Sequence, residues 1–333
     1  MGAIAWNEGC NLIVNGGNIA FNCKFNRQGG VKSGSGYNGD MLKQLFFFSL
    51  MIFLQLPVAG QELSFNQLMT KNGLSQNSIF AIAQDSQGFM WFGSRYGLNR
   101  YDGNRFKLYK STTTDTSTLS DDYINALYSD TRKDLWVGTS NGLNRFDPKK
   151  NTFERIYLSE GQKNKSNTQI ISIYEDRKGN LWIAAKNGLY LLADRKTKKF
   201  IPASLLGLSK RTASYEIQTL YEDAKGNLWL GTNKGLSRLH FANNRIKELQ
   251  FFTHSARQPG SLSDNSVTAI TEDLQQNIWV ATENGGINLF QSGTNTFSRF
   301  LHQDGQKNGL VHNAVRRMIR SHNGKLYIGT QEG

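Results

Sequence analysis

The chain has 333 residues, of which 38% are hydrophobic, and its formal net charge is +13. A chain of this length and composition can bury a large core. Its two cysteines, Cys10 and Cys23, precede every repeated segment, which excludes a disulfide framework or a thiolate metal site in the repeats. A basic surface can attract polyanions, but the basic residues form no block typical of a nucleic-acid arm. We therefore expect no nucleic-acid contact from this segment.

Residues 1–40 are rich in glycine and asparagine and lack hydrophobic periodicity, which predicts disorder. A second methionine, Met41, begins a segment with a basic start at Lys43, an apolar stretch over 45–54 and small residues before Gln61. This order is typical of a secretory signal peptide, and its apolar stretch is too short for a stable transmembrane helix. Our hypothesis is that residues 41–60 are the signal peptide and that residues 1–40 are an upstream over-read.

Beyond the signal peptide, an anchor aromatic residue recurs at intervals of 45, 46, 47, 50 and 48 residues. An aspartate stands six residues before each of the first five. Periods of this length are typical of propeller blades or solenoid repeats. The pairs are Asp85–Trp91, Asp130–Trp136, Asp176–Trp182, Asp223–Trp229 and Asp273–Trp279, and a last copy carries Tyr327.

Each copy contains the signals of four short strands. A nearly continuous apolar run precedes the aspartate turn, and its central small residue, such as Ala126, suits a strand crowded near a central axis. Arg317 replaces this small residue in the last copy. The anchor aromatic lies on a second strand, a Gly-Leu pair opens a third, and a further turn leads to an outer strand. This pattern predicts an all-β fold, a β-propeller of four-stranded antiparallel blades.

The predicted propeller occupies 61–333, with five complete blades and a truncated sixth. Residues 63–68 match an outer strand without a blade of its own, as in rings that one chain terminus closes. A ring of seven, of which this chain is a fragment, would complete the pattern. The blades are predicted at about 77–110, 122–158, 169–203, 215–252 and 265–301, with the partial blade at 313–333.

The recurring aspartates and aromatics are interpreted as structural. A large aromatic on the second strand of every blade is expected to pack against the neighbouring blade, and an aspartate caps its own turn. The Asp-x-x-Gly-x-x-Trp spacing is one residue longer than the sialidase Asp-box, and no catalytic tyrosine–glutamate pair can be tied to it.

The sequence predicts no catalytic residue, no metal ligand and no cofactor. The five histidines show no paired-ligand spacing, and neither a nucleophile elbow nor a phosphate loop is present. Carboxylate pairs such as Glu175–Asp176 recur in three copies, whereas a glycosidase needs one asymmetric pair. We interpret these carboxylates as turn residues.

Three segments together resemble the two-component regulator propeller repeat: Asn72 to Ser75, Asp85 to Ser94 and Gly97 to Gly103. The likeness extends in register from Leu63 to the C-terminus. It includes the double-glycine turn Gly285-Gly286 of the fifth copy, while Ala184, Ala281 and Tyr327 depart from the pattern.

This resemblance implies the periplasmic sensor of a hybrid two-component regulator whose full-length protein is anchored in the inner membrane. In that family, two seven-bladed propellers precede an immunoglobulin-like module, a transmembrane helix and a histidine kinase, and most known ligands are oligosaccharides. The implied partners are an oligosaccharide, the remaining propeller, transmembrane and kinase parts, and a second copy in a homodimer. Kinase activity is not expected of this segment, because it contains no kinase motif.

Loops that lead into first strands and turns that join second to third strands share one face of a propeller, around the channel mouth. The copies differ most there, and Arg95 with Tyr96 could stack on and hydrogen-bond a sugar ring. The candidate ligand-face residues are Arg95, Tyr96, Asn141, Lys186, Asn187, Lys234, Glu283, Asn284 and Arg316.

Three functions stay open on this basis. The first is an oligosaccharide-sensing propeller of a membrane-spanning regulator, and the second is a secreted scaffold that binds protein partners. The third and least favoured is a propeller-fold polysaccharide lyase or glycosidase. Ordinary turn chemistry also accounts for any single candidate residue, and a ligand could lie between two propellers.

The signal-peptide hypothesis predicts that the mature protein begins at Gln61, because small residues suited to cleavage precede it. N-terminal sequencing of the secreted protein checks this. A mature chain that starts at Met1 or Gly2 would contradict both the cleavage and the start at Met41.

Overall fold

The computed structural model describes residues 10–15, 18–23, 67–158, 168–209, 212, 215–305 and 309–332. The chain divides into two units, Met1–Leu68 and Met69–Gly333. The predicted signal peptide at 41–60 and the predicted orphan strand at 63–68 lie outside the described residues. Among the residues that are described, no helix has the length and apolar character needed to cross a membrane.

The first unit contains an antiparallel hairpin of β1 (Cys10–Asn15) and β2 (Asn18–Cys23). In the strand register, Cys10 lies opposite Cys23 at the open end, and Asn15 lies opposite Asn18 at the closed end. The prediction of disorder for residues 1–40 does not include this hairpin. The local reason lies in the sequence Asn15-Gly16-Gly17-Asn18, whose residue types favour a two-residue hairpin connection between β-branched and apolar runs.

The second unit is a series of antiparallel sheets, five with four strands and a sixth with two, each formed from consecutive strands of the chain. This arrangement confirms the predicted all-β propeller with five complete blades and a partial one. Blade 1 contains β3 (Ala81–Gln84), β4 (Met90–Ser94), β5 (Gly97–Tyr101) and β6 (Phe106–Tyr109). Blade 2 contains β7 (Ile124–Ser129), β8 (Leu135–Thr139), β9 (Gly142–Asp147) and β10 (Thr152–Ile156). Blade 3 contains β11 (Ile170–Glu175), β12 (Leu181–Ala185), β13 (Gly188–Asp194) and β14 (Lys199–Pro202).

The remaining strands follow the same order. Blade 4 contains β15 (Ile217–Glu222), β16 (Asn227–Thr232), β17 (Gly235–Ala242) and β18 (Arg245–Phe252). Blade 5 contains β19 (Val267–Glu272), β20 (Ile278–Thr282), β21 (Ile287–Gln291) and β22 (Thr296–Phe300), and blade 6 contains β23 (Val315–Arg320) and β24 (Leu326–Thr330). Two short 3₁₀ helices, Thr70–Asn72 and Ala203–Leu206, precede blade 1 and follow blade 3.

The first strands of successive blades contact one another, and their residues from all six blades line a common channel. In every blade, the predicted small-residue position on the first strand lies opposite the second-strand residue that comes two positions after the anchor aromatic. Examples are Ala126 opposite Gly138 and Arg317 opposite Gly329. This places the small residues at the axis, as the sequence predicts.

The β-branched residue near the start of each first strand packs into the preceding blade. A Cβ added at Gly138 would lie 2.5 Å from Cγ2 of Ile170, so the glycine makes room for the isoleucine of the next blade. Ile79 differs, because it lies before β3 and is partly exposed. The physical reason is that the described residues include no blade on that side for Ile79 to pack against.

An aspartate–tryptophan pin holds the turn between the first and second strands of blades 1 to 5. In blade 4, Oδ2 of Asp223 accepts the indole N–H of Trp229 at 2.8 Å. Its Oδ1 accepts the backbone N–H groups of Lys225 and Asn227 at 3.0 and 2.8 Å. The same three bonds recur at Asp85, Asp130, Asp176 and Asp273.

The pinned tryptophans pack against the following blade, as the sequence predicts. Trp91 lies 4.9 Å from Phe146 of blade 2, and Trp229 lies 5.1 Å from Phe290 of blade 5, both measured between ring centroids. The first four tryptophans are at most 2% exposed. Each aspartate therefore orients the side chain that joins its blade to the next.

Replacing Asp223 by Asn should destabilise the protein by about 1–3 kcal/mol, because an amide NH₂ cannot accept the buried indole N–H of Trp229. Urea unfolding followed by tryptophan fluorescence measures the loss. The matched control is Asp102→Asn at an exposed turn, where Oδ1 accepts only backbone N–H groups. Equal stability of the two variants would show that the indole bond contributes nothing.

Candidate functional site

The rim of the propeller is the end formed by the leading loops, which enter each first strand, and by the turns between second and third strands. Backbone hydrogen bonds join these two parts within a blade. Ser140 N–H donates to the carbonyl of Tyr123 in blade 2, and Glu283 N–H donates to the carbonyl of Ser266 in blade 5, at 3.0 and 2.9 Å. The aspartate turns lie at the opposite end of the strands, which we term the turn end.

A buried asparagine fixes the leading loop in blades 1, 2 and 5. In blade 2, Oδ1 of Asn144 accepts the N–H of Ser120 at 2.9 Å, and its Nδ2 donates to the Ser120 hydroxyl at 2.9 Å. The Ser120 hydroxyl also lies 2.9 Å from that of Thr139. Asn99 with Ser75 and Asn288 with Ser263 repeat this arrangement. Sequence reasoning missed this role, although Gly-Leu-Asn or Gly-Ile-Asn in the third strand and Leu-Ser in the leading loop recur together in these three blades.

Blades 3 and 4 lack this asparagine. Tyr190 and Ser237 stand in its place, and the Ser237 hydroxyl is buried with no hydrogen-bond partner among the described residues. The rim of these two blades is therefore built differently from the rim of blades 1, 2 and 5.

Candidate residues Arg95 and Tyr96 lie in an aromatic cluster on the rim of blades 1 and 2. The Arg95 guanidinium carbon is 5.2 Å from the ring centroid of Phe80 and 5.1 Å from that of Tyr123. The Nζ atom of Lys110 lies 3.3 Å from the ring centroid of Tyr96. Phe80 and Tyr96 remain 41% and 55% exposed. The cluster thus presents two partly exposed aromatic rings, each in contact with a cation.

Candidate residues Glu283 and Arg316 meet in a polar chain that crosses blades 4 to 6. Gln218 Nε2 lies 3.3 Å from the Ser266 hydroxyl, which donates to Oε2 of Glu283 at 2.9 Å. Arg316 donates to Oε1 of Glu283 at 3.2 Å and to Oε1 of Gln331 at 2.9 Å. The side chains of Glu283 and Arg316 remain about half exposed on the rim.

The other candidates lie on the rim without forming a shared cluster. Asn284 donates from its backbone and side chain to Oδ2 of Asp264, and Asn187 hydrogen-bonds Tyr190 of its own blade. The bonds of Asn141, Lys186 and Lys234 within the described residues are made by their backbone N–H groups. The structure brings together Glu283 and Arg316, and Arg95 with Tyr96, but not the full set.

The central channel lies among the first strands of the six blades and has a volume of about 300 Å³. Its lining is mostly small or apolar. The polar lining residues are Asn125, Ser172, Gln218, Thr219, Thr268 and Arg317.

At the turn end, the recurring glutamates bind the preceding blade. Glu175 accepts the N–H and the hydroxyl of Thr131 at 2.7 and 2.9 Å, and Glu222 accepts the N–H of Arg177 at 2.8 Å. Glu272 accepts the N–H of Ala224 at 2.9 Å. Glu175 is also an ion-pair partner of Arg195, which bonds Asp130 of blade 2 as well. These buried carboxylates are occupied by contacts between blades, which supports their interpretation as structural residues.

Two histidines also have structural partners. His254 Nδ1 lies 2.7 Å from the carbonyl of Leu262, and His302 Nδ1 lies 2.5 Å from that of Leu310. Each histidine thus contacts the leading loop of the following blade. The backbone N–H of each donates to an asparagine in the same loop, Asn265 or Asn313.

The family model for the two component regulator propeller matches five segments of this chain. They correspond to the leading loop, first strand and second strand of blades 1 to 5, and each ends in the rim turn. The matched residues are 73–96, 118–141, 164–187, 213–234 and 261–284. Blades 1 to 5 thus each contain a segment that matches the two component regulator propeller repeat.

Two solved structures with similar folds are larger proteins. The extracellular domain of a hybrid two component system from B. thetaiotaomicron has a TM-score of 0.56 and 24% identity, over 80% of this chain and 40% of that chain. PorZ, an essential bacterial surface component of the type-IX secretion system of Porphyromonas gingivalis, has a TM-score of 0.59 and 18% identity, over 82% of this chain and 39% of that one. The regulator propeller therefore spans less than half the length of these relatives.

Two further matches are more distant or more local. Virginiamycin B lyase from Staphylococcus aureus has a TM-score of 0.53 at 13% identity, over 77% of this chain and 78% of that chain, which shows the fold alone. Histidine kinase P4 of Formosa agariphila is 32% identical over 83 residues, which are 24% of this chain and 6% of that protein.

Replacing Glu272 by Gln should leave the protein at least as stable at pH 7, because the amide oxygen still accepts the N–H of Ala224 while the buried charge is removed. Burial is the largest cause that raises the pKa of Glu272 above 4.5. The folded protein therefore gains stability from protonation, which is complete below the unfolded-state pKa and lost as the pH rises through the folded-state pKa.

Urea unfolding between pH 4 and 8 measures this dependence. The decline in the free energy of unfolding on that interval should be smaller in Glu272→Gln than in the parent, and unchanged in the exposed control Glu216→Gln. A loss of more than about 1 kcal/mol at pH 7 would contradict the expectation, since it would mean that the charged form is required.

Proposed function

We propose that this regulator propeller is a ligand-sensing segment of a hybrid two-component regulator, that it lies in the periplasm, and that its rim contributes to binding an oligosaccharide. It signals to a histidine kinase elsewhere in the same regulator. The family repeats and the fold shared with an extracellular domain of a hybrid two component system support the sensor assignment. The local match to a histidine kinase supports the kinase link.

The aromatic cluster on the rim is the observation that carries the oligosaccharide proposal. Sugar rings bind to aromatic faces through their apolar C–H side, and cationic and amide groups beside the ring hydrogen-bond the hydroxyls. Phe80 and Tyr96 are partly exposed aromatic side chains, and the Arg95 guanidinium contacts the neighbouring rings of Phe80 and Tyr123. A pre-positioned cation loses less conformational entropy on binding than a mobile one.

The rest of the rim has the properties of a recognition surface on a fixed scaffold. Asn99 and Asn144 hold the leading loops of blades 1 and 2, so the loop conformation does not depend on the exposed residues it displays. The exposed residues are then free to vary from blade to blade without loss of fold. This separation of scaffold and surface is typical of binding sites on loops that a rigid fold positions.

An oligosaccharide panel tests the proposal by thermal unfolding, since a ligand that binds only the folded state raises the melting temperature by mass action. We expect at least one fragment to raise it in the parent protein. Tyr96→Ala and Phe80→Ala should each lower the affinity for that fragment about threefold to tenfold, which is the range for loss of an aromatic contact.

Leu205→Ala is the matched control, because Leu205 is 73% exposed in the 3₁₀ helix that follows the outer strand of blade 3. It should leave the shift unchanged. A panel without any shift would favour the scaffold that binds protein partners, and a shift unaffected by the rim variants would place the oligosaccharide elsewhere.

A further inference from the structure

The channel residue Arg317 is the feature of this chain that neither the repeat pattern nor the rim explains. It occupies the axial position that holds Ala81, Ala126, Ser172, Thr219 and Ala269 in the other blades. Its register partner is Gly329, the counterpart of the glycine or alanine that faces each small residue. Arg317 therefore lies at the channel wall and not in a displaced loop.

Arg317 supplies a positive charge that the channel does not neutralise. Among the described residues that line the channel, it is the single ionisable side chain, and no carboxylate of the described residues forms an ion pair with it. Its one hydrogen bond there runs from Nη1 to the carbonyl of Arg316 at 3.1 Å. A guanidinium has five N–H donors in a planar fork, so most of its donors remain available to a ligand.

Neutral donors lie at the same level of the channel. Ser172 and Thr219 share the axial position with Arg317, and within the described residues neither hydroxyl has a hydrogen-bond partner. Asn125 and Gln218, one residue nearer the rim, add side-chain amides to the lining. A cation with hydroxyl and amide donors and without carboxylates is the donor set that binds an oxyanion.

We infer that the channel of this propeller contains a binding site for a small oxyanion, a carboxylate or sulfate group, with Arg317 as its charged partner. The described channel has a volume of about 300 Å³, which accommodates a small acid or one acidic sugar unit. The site is separate from the aromatic cluster on the rim and does not depend on oligosaccharide binding there.

Isothermal titration calorimetry of the full chain with glucuronate and with sulfate, at constant ionic strength, tests the site. Glucose and chloride are the neutral and monatomic comparison probes. We expect saturable binding of glucuronate, sulfate or both, and no saturable binding of glucose. Arg317→Gln removes the guanidinium and should lower the affinity for the anion about tenfold or more, as loss of a charge-assisted hydrogen bond does.

Two variants make the result specific. Arg317→Ala introduces the residue that three other blades carry at this position, so it should fold and should lose the anion as Arg317→Gln does. Arg316→Gln removes the neighbouring rim cation, which is already bonded to Glu283 and Gln331, and should leave the affinity unchanged.

The inference is overturned if neither anion binds saturably, or if Arg317→Gln binds as tightly as the parent. It is also overturned if Arg316→Gln loses as much affinity as Arg317→Gln, since the effect would then reflect net charge. Binding that survives in Arg317→Gln and is lost in Arg95→Gln would assign the anion to the rim instead.

Discussion

The hydrogen bond between an aspartate carboxylate and a tryptophan indole links the first turn of blades 1 to 5 to the largest side chain of the same blade. A buried carboxylate is costly unless its oxygens are hydrogen-bonded. Here Oδ1 of Asp223 binds two backbone N–H groups and Oδ2 binds the indole of Trp229, so one side chain closes the turn and orients the largest residue of the blade. Closing the turn and orienting the tryptophan depend on each other, because the same carboxylate does both.

The fixed tryptophan then determines how blades stack. Its ring packs on the next blade, while a glycine such as Gly138 admits the β-branched residue that the next blade inserts. At the turn end, Glu175 and its counterparts in the next two blades bind backbone N–H groups of the blade before them. All three contacts run between consecutive blades, so stability is built along the chain as in other repeat proteins. The rim takes little part in these contacts and can differ among blades.

The sequence predicted the blades well because their strand ends are marked by residues with a local physical reason. Aspartate and glycine mark turns, and the recurring tryptophan marks the second strand, so the order and type of the strands follow from local residues. The hairpin at Cys10–Asn15 and Asn18–Cys23 was not predicted, because the glycine- and asparagine-rich composition of this region is typical of disorder, although Asn-Gly-Gly-Asn is a turn signal. The small residues at the axis were predictable, because a crowded axis requires small side chains. Arg317 is the exception among them.

The contacts of the candidate site were not predictable in the same way. Phe80, Arg95 and Tyr123 come from three different loops of two blades, and only the relative position of those blades brings the three side chains together. His254 and His302 look like surface residues because their partners are backbone carbonyls of the following blade, and carbonyls leave no mark in a sequence. Local residue patterns specify strands and turns, whereas contacts between blades depend on register and twist.

The sixth copy lacks both members of the pin. Ser321 and Tyr327 replace the aspartate and the tryptophan together, and the backbone turn persists, with Ser321 N–H donating to Lys325 and Gly324 N–H donating to Ser321. A tryptophan without its carboxylate would leave an indole N–H unpaired, and an aspartate without the indole would lose a donor, so replacing both avoids an intermediate cost. Arg317 belongs to this same copy. The blade that departs from the structural pattern at its pin is thus also the blade that places a charge at the axis, where five other blades keep small neutral residues.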